Sequence, residues 1–533
     1  MKNITFYRNA ALFIITSLIC IPSVSAQKTS IGLRVLGTYA TGIYNQSASE
    51  IVAYDASTRR LFTVNGATSK IDVLSIINPS APTLLFSIEL AMYGRQANSV
   101  AVKNGIVAAA VEAYVKTDYG KVVFFDADGT YLNAVTVGAL PDMVTFTPDG
   151  RKVLVANEGE PNDSYTVDPD GTVSIVDISG GVGNATATYA GFSAFNSTTL
   201  DSSIRIFGPN ATVAQDLEPE YIAVSEDSKT AWVTLQENNA VGVLNLSSGE
   251  FTKLIGLGFK NHNLNRNGID ASDRINSSTP GVIEILPRPI FGMYQPDGIA
   301  TFTYLNETFF ITANEGDARE YLGLTEEVRV SSLLLDPAIF PQATFLKTDA
   351  QIGRLNVTKT LGNSDGDAEY EALYAFGARS FSIWKGSGEQ IYDSGDEIEQ
   401  ITARAFPSFS NASSTNNTRD DRSDNKGPEP EGVTVGKVDG RNYAFIGLER
   451  IGGVMVYEIT NPYSPRFIQY INNRNFLAAT NTPAAGDLAP EGLHFISADD
   501  SPTKTPLLVV ANETSGTTTV YGIVQLRFRR LFF

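Results

Sequence analysis

Seven times along this chain a short β-type run starts at or beside an acidic residue, and the run after it closes beside another. The first runs read SEIVAYD (49–55), NSVAVKN (98–104), PDMVTFT (141–147), PEYIAVS (219–225), PDGIATF (296–302), PEGVTVG (430–436) and PEGLHFI (490–496). Their partners end LFTVNG, VAAAVEA, VLVANEG, AWVTLQEN, FFITANEG, AFIGLER and LVVANET. Third runs follow (KIDVLSI, KVVFFDA, TVSIVDI, AVGVLNL, ARSFSIW, GVMVYEI, TTTVYGI), and fourth runs include TLLFSIEL (83–90), YLNAVTVG (131–138), FTKLIGLG (251–258) and RFIQYIN (466–472). All are short, rich in Val, Ile, Phe and Tyr, and bounded by turn signals such as TPDGRK and DADGT, which is strand chemistry. Four-stranded units repeated seven times predict an all-β fold, a seven-bladed β-propeller with long inserted loops. A β-solenoid, the rival, has shorter and more uniform repeats. The seventh copy ends after three strands, and GLRVLGTYAT (32–41) stands spare before the first. It is expected to close the ring as the outer strand of the last blade, which removes an exposed edge.

The reading divides the chain into a leader at 1–26, a propeller over 27–525 and a short basic and apolar tail at 526–533. Lys2 and Arg8 precede an apolar stretch, and SVSA supplies small residues before a cut near Ala26, as in a secretory signal. Cys20, the one cysteine, lies in that leader, so disulfides, thiolate metal sites and thiol nucleophiles drop out. Without Lys2 and Arg8 the 40 basic residues fall to 38 against 58 acidic ones, a field that repels nucleic acid and attracts cations. No later run approaches the ~20 apolar residues of a membrane helix. Twelve Asn-X-Ser/Thr triplets follow the leader and suit a glycosylated, secreted or cell-surface protein if the source is eukaryotic. Residues 178–216 and 259–290 read as Asn/Ser/Gly-rich excursions, 321–376 as the largest insert, and 408–428 as a mobile polar loop.

In a propeller the first two strands of each blade are innermost and antiparallel, so the start of one and the end of the other share one mouth of the channel. The first position carries Glu50, Asp142, Glu220, Asp297, Glu431 and Glu491, with Ser99 neutral. The second carries Glu112, Glu158, Glu237, Glu315, Glu449 and Glu513, with Asn65 as the exception. Like charges ~4 Å apart repel by about 4 kcal/mol at an effective dielectric of ~20, so protons or cations must neutralise such a rim. Ca²⁺ fits, because it takes 6–8 oxygen ligands and needs neither His nor Cys. The metal candidates are Asp142, Glu158, Glu220, Asp297, Glu315, Glu431, Glu449, Glu491 and Glu513. His262 and His494 are too few for a His-based Zn or Fe site. Two further acidic stretches, NRNGIDASDRIN (265–276) and DSGDEIE (393–399), lack the EF-hand glycine and terminal glutamate and read as solvated loops.

Taken together, LPDMVTFTPDGRKVLVANEGEP, YQPDGIA with TANEGDAREY, GPEPEGVTVGKVDGRNYAFIGLERIGGVMVYEITNP and LAPEGLHFI resemble the choice-of-anchor I domain, from about Gly32 to Ile523. That family includes mesenchyme-specific cell surface glycoproteins linked to biomineralisation, and some relatives carry an alkaline phosphatase label. The resemblance implies a propeller displayed outside the cell. The end IVQLRFRRLFF has neither the small-residue site nor the long apolar tail of a lipid anchor.

Two functions are expected. The first is a secreted or surface calcium-binding glycoprotein acting by interaction, through adhesion or association with extracellular matrix or mineral. The alternative is a calcium-dependent phosphomonoesterase on phosphate esters, of alkaline phosphatase or phytase type. There the metals clamp phosphate, Arg319 or Arg450 holds the anion, and His494, placed by strand alternation, reaches the channel. Neither a G-x-S-x-G elbow nor a P-loop occurs, so neither enzyme class gains independent support.

Overall fold

A computed structural model describes residues 29–527; the leader and nearly all of the tail lie outside the described residues. Seven four-stranded antiparallel sheets form the body. Their innermost strands are Val52–Asp55, Ala97–Lys103, Pro141–Phe146, Pro219–Val224, Ile299–Tyr304, Pro430–Val438 and Pro490–Ile496. Each touches the innermost strands of the blades before and after it, and the seventh touches the first, so the ring is closed. Blade seven is ordered Pro490–Ile496, Leu507–Asn512, Thr517–Arg527 and finally Thr29–Ala40, the N-terminal strand expected there. Thr29 faces Arg527 and Ala40 faces Thr517.

The apolar runs are continuous because every blade is buried on both faces. Along Leu507–Asn512, Leu507, Val509 and Ala511 pack toward blade one while Leu508 and Val510 pack toward blade six. This period-two alternation fills seven cores, one per blade interface. Fully burying a Val, Leu or Phe contributes about 1.5–3 kcal/mol, so adhesion between blades dominates stability.

Connections from second to third strands, and from one blade to the next, all leave at the mouth where innermost strands begin. The three long inserts (257–298, 315–379 and 394–429) therefore gather on that face. They are built structure rather than excursions. Phe259–Asn261, Phe291–Met293, Tyr374–Ala375, Asn356–Thr358 and Glu327–Arg329 form a five-stranded sheet. Ile269, Ile290, Leu333, Phe340, Ile352, Leu355 and Leu373 give it a core of its own. Thr186–Gly191, inside the first supposed excursion, is the fourth strand of blade three.

The segment 408–428 is not a mobile loop. Asn411, Ala412, Asp420 and Ser423 are fully buried, and the Arg474 guanidinium donates to the carbonyls of Ser413 and Asn416. Composition misled here because Ser and Asn, as well as marking loops, can satisfy a buried backbone. Burial also sorts the glycosylation triplets. The amides of Asn356, Asn411 and Asn512 are buried, whereas Asn45, Asn184, Asn196, Asn210, Asn245, Asn276 and Asn306 are exposed. Glycopeptide mapping of protein secreted from a eukaryotic host is expected to find glycan among the exposed seven and none at the buried three. Glycan on Asn512 in folded protein would contradict this placement.

Candidate metal-binding rim

One local device recurs where the chain enters the innermost strands. In blades three, five, six and seven the residue before the proline is left-handed: Leu140 (φ 48°), Gln295 (39°), Glu429 (53°) and Ala489 (59°). Such residues are strained, and a following proline restricts them further. In blades three, six and seven the carbonyl of this residue accepts the N–H of the second-strand glutamate, Leu140 from Glu158 at 3.0 Å, Glu429 from Glu449 at 2.9 Å and Ala489 from Glu513 at 2.7 Å, whereas in blade five Gln295 accepts from Gly316 at 3.0 Å. The acidic residue after the proline then sits in a β-bulge. Pro141 faces Asn157 and Val144 faces Val155, so one extra residue is inserted at Asp142–Met143. Blades four, six and seven repeat the bulge at Glu220, Glu431 and Glu491. A bulge bends its strand and re-aims a side chain, here toward the rim.

The buried asparagines before the glutamates have a different task. Asn157 Nδ2 donates to Thr172 Oγ1 and Ser174 Oγ, and Asn314 Nδ2 to Ser380 Oγ and Ser382 Oγ, pinning second strands to third.

Register corrects three rim positions. Ala97 faces Val111 and Ser99 faces Ala110, which puts Asn98, not Ser99, at the first position of blade two. Asn65 is the counterpart of Asn157, leaving Gly66 at the second position of blade one. In blade four Leu235 faces Pro219, so Gln236 takes that position and Glu237 lies one residue beyond. A period-two pattern shifted by one residue is easily misread where a bulge intervenes.

Glu112 pairs with Arg95 at 2.7 Å, and the other carboxylates converge between blades. Asp142, Glu158 and Glu220 form one set, Asp297, Glu315 and Glu431 a second, and Glu491, Glu513 and Glu50 a third. In each set the potential ligand oxygens lie within 4.8 Å of one another. Every set takes both positions of one blade and the first position of the next, so the three are equivalent by the symmetry of the ring. A fourth set joins Glu315 and Glu449 to Glu429, which sequence reasoning missed.

Crowding raises the carboxyl pKa values. Burial, then the Glu513 charge, pushes Glu50 up to about 8, and burial, then Glu160, pushes Asp142 to about 7. Burial and like charge hold Glu158, Glu220, Asp297, Glu431 and Glu491 well above the usual range. Buried Oε2 atoms of Glu50, Glu431 and Glu449 have no hydrogen-bond partner. Oxygen-rich pockets of this kind suit a hard cation.

One interface carries its own cation. Lys426, at the end of the 408–428 segment, places Nζ 2.9 Å from Glu315 Oε1 and 3.2 Å from Glu429 Oε2. Burial alone would lift Glu429, but Lys426, Arg422 and Arg450 outweigh it and hold that carboxyl at about 2. Glu429 lies within PEPEG (428–432), two residues before Glu431, and that was the available signal; Lys426 was hidden at the end of a segment read as a mobile loop.

The candidate catalytic residues are dispersed. Arg319 does not face the channel mouth. Its buried guanidinium donates to Asp216 Oδ1 at 2.7 Å, to the Asp216 carbonyl at 2.7 Å and to Glu218 Oε2, and it stacks 4.6 Å from the centre of the Phe207 ring. Arg450 is one-quarter exposed and holds Glu429 at 2.9 Å and Glu449 at 2.7 Å. His494 lines a channel cavity of about 220 Å³ with Ser99, Met143 and Tyr221, further down the strand than the rim. Burial lowers its pKa to about 4, so it is neutral there at physiological pH.

The choice-of-anchor I domain model matches residues 50–462, from the start of blade one into blade six. This chain belongs to the choice-of-anchor I family. Two animal relatives agree with that placement. Gigasin-3a of Magallana gigas is 30% identical over 190 residues, covering 33% of this chain and 66% of the relative. The mesenchyme-specific cell surface glycoprotein of Strongylocentrotus purpuratus is 27% identical over 286 residues, covering 47% of this chain and 36% of the relative. This choice-of-anchor I chain thus matches less than two thirds of either relative. Among solved structures, streptogramin B lyase aligns at a TM-score of 0.45 with 10% identity, covering 93% of this chain and 98% of that one. The β-propeller domain of Myceliophteria thermophila Cps50 (Swd1) aligns at 0.43 with 8% identity, over 92% of this chain and 100% of that one. Among the described residues no helix is long and apolar enough to cross a membrane.

Proposed function

We propose that this choice-of-anchor I chain is an extracellular calcium-binding propeller that acts by interaction, with Ca²⁺ held at the inter-blade carboxylate sets of the rim. The observation that carries this reading is the convergence of three equivalent tri-carboxylate sets, in each of which the ligand oxygens lie within 4.8 Å of one another. The acidic balance of the chain and the cell-surface name of one relative support the same reading. In it, Asp142, Glu158 and Glu220 hold one ion, Glu491, Glu513 and Glu50 another, and Lys426 competes with calcium at the set around Glu315. Arg319 is committed to Asp216 and Glu218, which removes one of the two anion holders the phosphomonoesterase reading relied on.

Titration gives the test a sign. A carboxyl whose pKa is higher folded than unfolded binds protons more tightly in the folded chain. Its contribution is full at low pH and is lost as pH rises through the folded value. In chelator, melting temperature is therefore expected to fall between pH 5 and pH 8, the window set by Asp142 near 7 and Glu50 near 8. Each unit of elevation is worth about 1.4 kcal/mol, and a chain of this length shifts by about 1 °C per kcal/mol. Millimolar Ca²⁺ should remove that fall, since a ligand bound only by the folded state stabilises it. Replacing Glu158, Glu315 and Glu431 by Gln should remove the part of the calcium response that belongs to their two sets, and adding Glu491→Gln should remove most of the rest. A melting temperature indifferent to both chelator and calcium at pH 8 would sink the reading. Calcium-dependent hydrolysis of p-nitrophenyl phosphate by the same preparation would favour the enzyme instead.

A further inference from the structure

A cavity of about 760 Å³ lies away from the rim, on the outer flank where blades five and six meet. Its walls are the turn at 265–267, the end of the outer strand of blade five (Gln390–Asp393), the helix Glu397–Ala405, and Phe467 on the outer strand of blade six (Arg466–Ile471). That volume falls in the ~300–1,000 Å³ range of ligand sites.

The walls are fixed to one another. The N–H of Asp396 donates to the Arg266 carbonyl at 2.8 Å, and Gly395 (φ 64°) permits that approach, since a Cβ there would lie 2.2 Å from the same oxygen. Ile398, Glu399 and Thr402 anchor the helix by burial, and the Tyr457 hydroxyl donates to Glu397 Oε2 at 3.0 Å. Tyr392 packs on Phe381 with ring centres 5.6 Å apart, and Phe467 stands edge-on to Tyr457 at 5.5 Å. Phe467 nevertheless remains 38% exposed.

Polar groups in the lining have capacity to spare. Among the described residues Arg266 and Arg404 form no ion pair; Arg404 makes only a 3.4 Å contact to Gln400. Asp396 does not cap its own helix. Asp393 is already balanced by Lys260 at 2.9 Å, so two guanidinium groups share the cavity with two further carboxylates, Asp396 and Glu397, and the charges cancel. A phosphate or sulfate would meet those carboxylates, and an aliphatic ligand would desolvate charged groups without replacing their hydrogen bonds. Tyr392, Ile401 and Phe467 are the only large apolar side chains in the lining, fewer than an ordinary drug-like pocket has.

We propose that this cleft binds a neutral oligosaccharide. Vicinal hydroxyls donate and accept together, so one sugar ring satisfies the Asp396 carboxylate and the Arg266, Arg404 and Gln400 donors at once. The apolar C–H face of the ring lies on Phe467, with Tyr392 beside it. The site stands whether or not the rim holds calcium.

The test is saturation-transfer NMR and calorimetry on the full chain in chelator, with chitotriose, mannotriose, maltotriose and lactose as millimolar probes. At least one should bind. Phe467→Ala and Arg404→Gln, both at exposed positions, should each weaken that binding about tenfold without lowering the melting temperature. Tyr119→Ala, which removes an exposed tyrosine of blade two, should leave it unchanged. Because calcium is absent throughout, failure of the rim reading leaves this result untouched. Binding of none of the four sugars overturns the proposal, as does binding that survives both substitutions. Competition by equimolar inorganic phosphate or glucuronate would reveal an anion site and overturn it as well. If Phe467→Ala melts lower than wild type, Arg404→Gln decides alone.

Discussion

A chain lacking residues 29–40 is expected to yield no soluble, cooperatively melting monomer. That strand is the outer member of blade seven, paired along its length with Thr517–Arg527. Ile31 and Leu33 are buried in the core between blades six and seven, and Leu33 exchanges hydrogen bonds with Gln469 of blade six. At about 1.5–3 kcal/mol for each buried aliphatic side chain, plus the ladder, the loss rivals a whole domain stability of ~5–15 kcal/mol. The damage would exceed the lost contacts. Thr517–Arg527 would become a free edge reading TTTVYGIVQLR, a β-prone run with one charge, which is the kind that recruits a second chain. Size-exclusion chromatography and thermal melting check this. Appending the same twelve residues after Arg527 through a flexible linker should restore the monomer, since only the seam has moved. A truncated monomer that melts like the full chain would show that the ring does not close here.

Arg319→Ala should be the most damaging single substitution near the mouth. The guanidinium ties Asp216 and Glu218, which lead into blade four, to the insert of blade five, and its backbone N–H donates to Glu326, itself paired with Arg205. Removing one partner of a buried ion pair costs about 3–5 kcal/mol, because the opposite charge stays buried and uncompensated. Burial already pushes Glu218 well above the usual carboxylate range despite the arginine. The variant should melt several degrees lower, and Arg319→Lys should recover little, because an ammonium cannot reproduce the forked contact. Melting within 1 °C of wild type would contradict a structural role. Loss of function without loss of stability would return Arg319 to the candidates for chemistry.

Blade number and ring closure were legible because propeller strands are buried on both faces. That writes continuous apolar runs such as LLVVAN into the chain at each repeat. The acidic rim was legible for the same reason, since repeat position maps directly onto ring position. Its details were not. A bulge adds one residue without changing composition, so Asn98 was misread as Ser99 and Gln236 as Glu237; in blade one, whose ladders run without a shift, Gly66 was misread as Asn65. Arg319 looked like a rim residue because it follows Glu315 closely; only the path of the insert shows it turning toward Asp216.

The sequence by itself determined the all-β repeat, the number of blades, the seam strand and the crowding of carboxylates at one mouth. All four follow from local periodicity repeated in register. Tertiary structure alone decided which carboxylates meet. Glu429 stands outside the two repeat positions, yet it joins Glu315 of blade five and Glu449 of blade six in one set. Lys426 likewise reaches Glu315 from a stretch whose composition resembles a solvated loop. Periodicity records which face of a strand is buried; it holds no record of where a long insert folds back, because that depends on contacts between segments far apart in the chain.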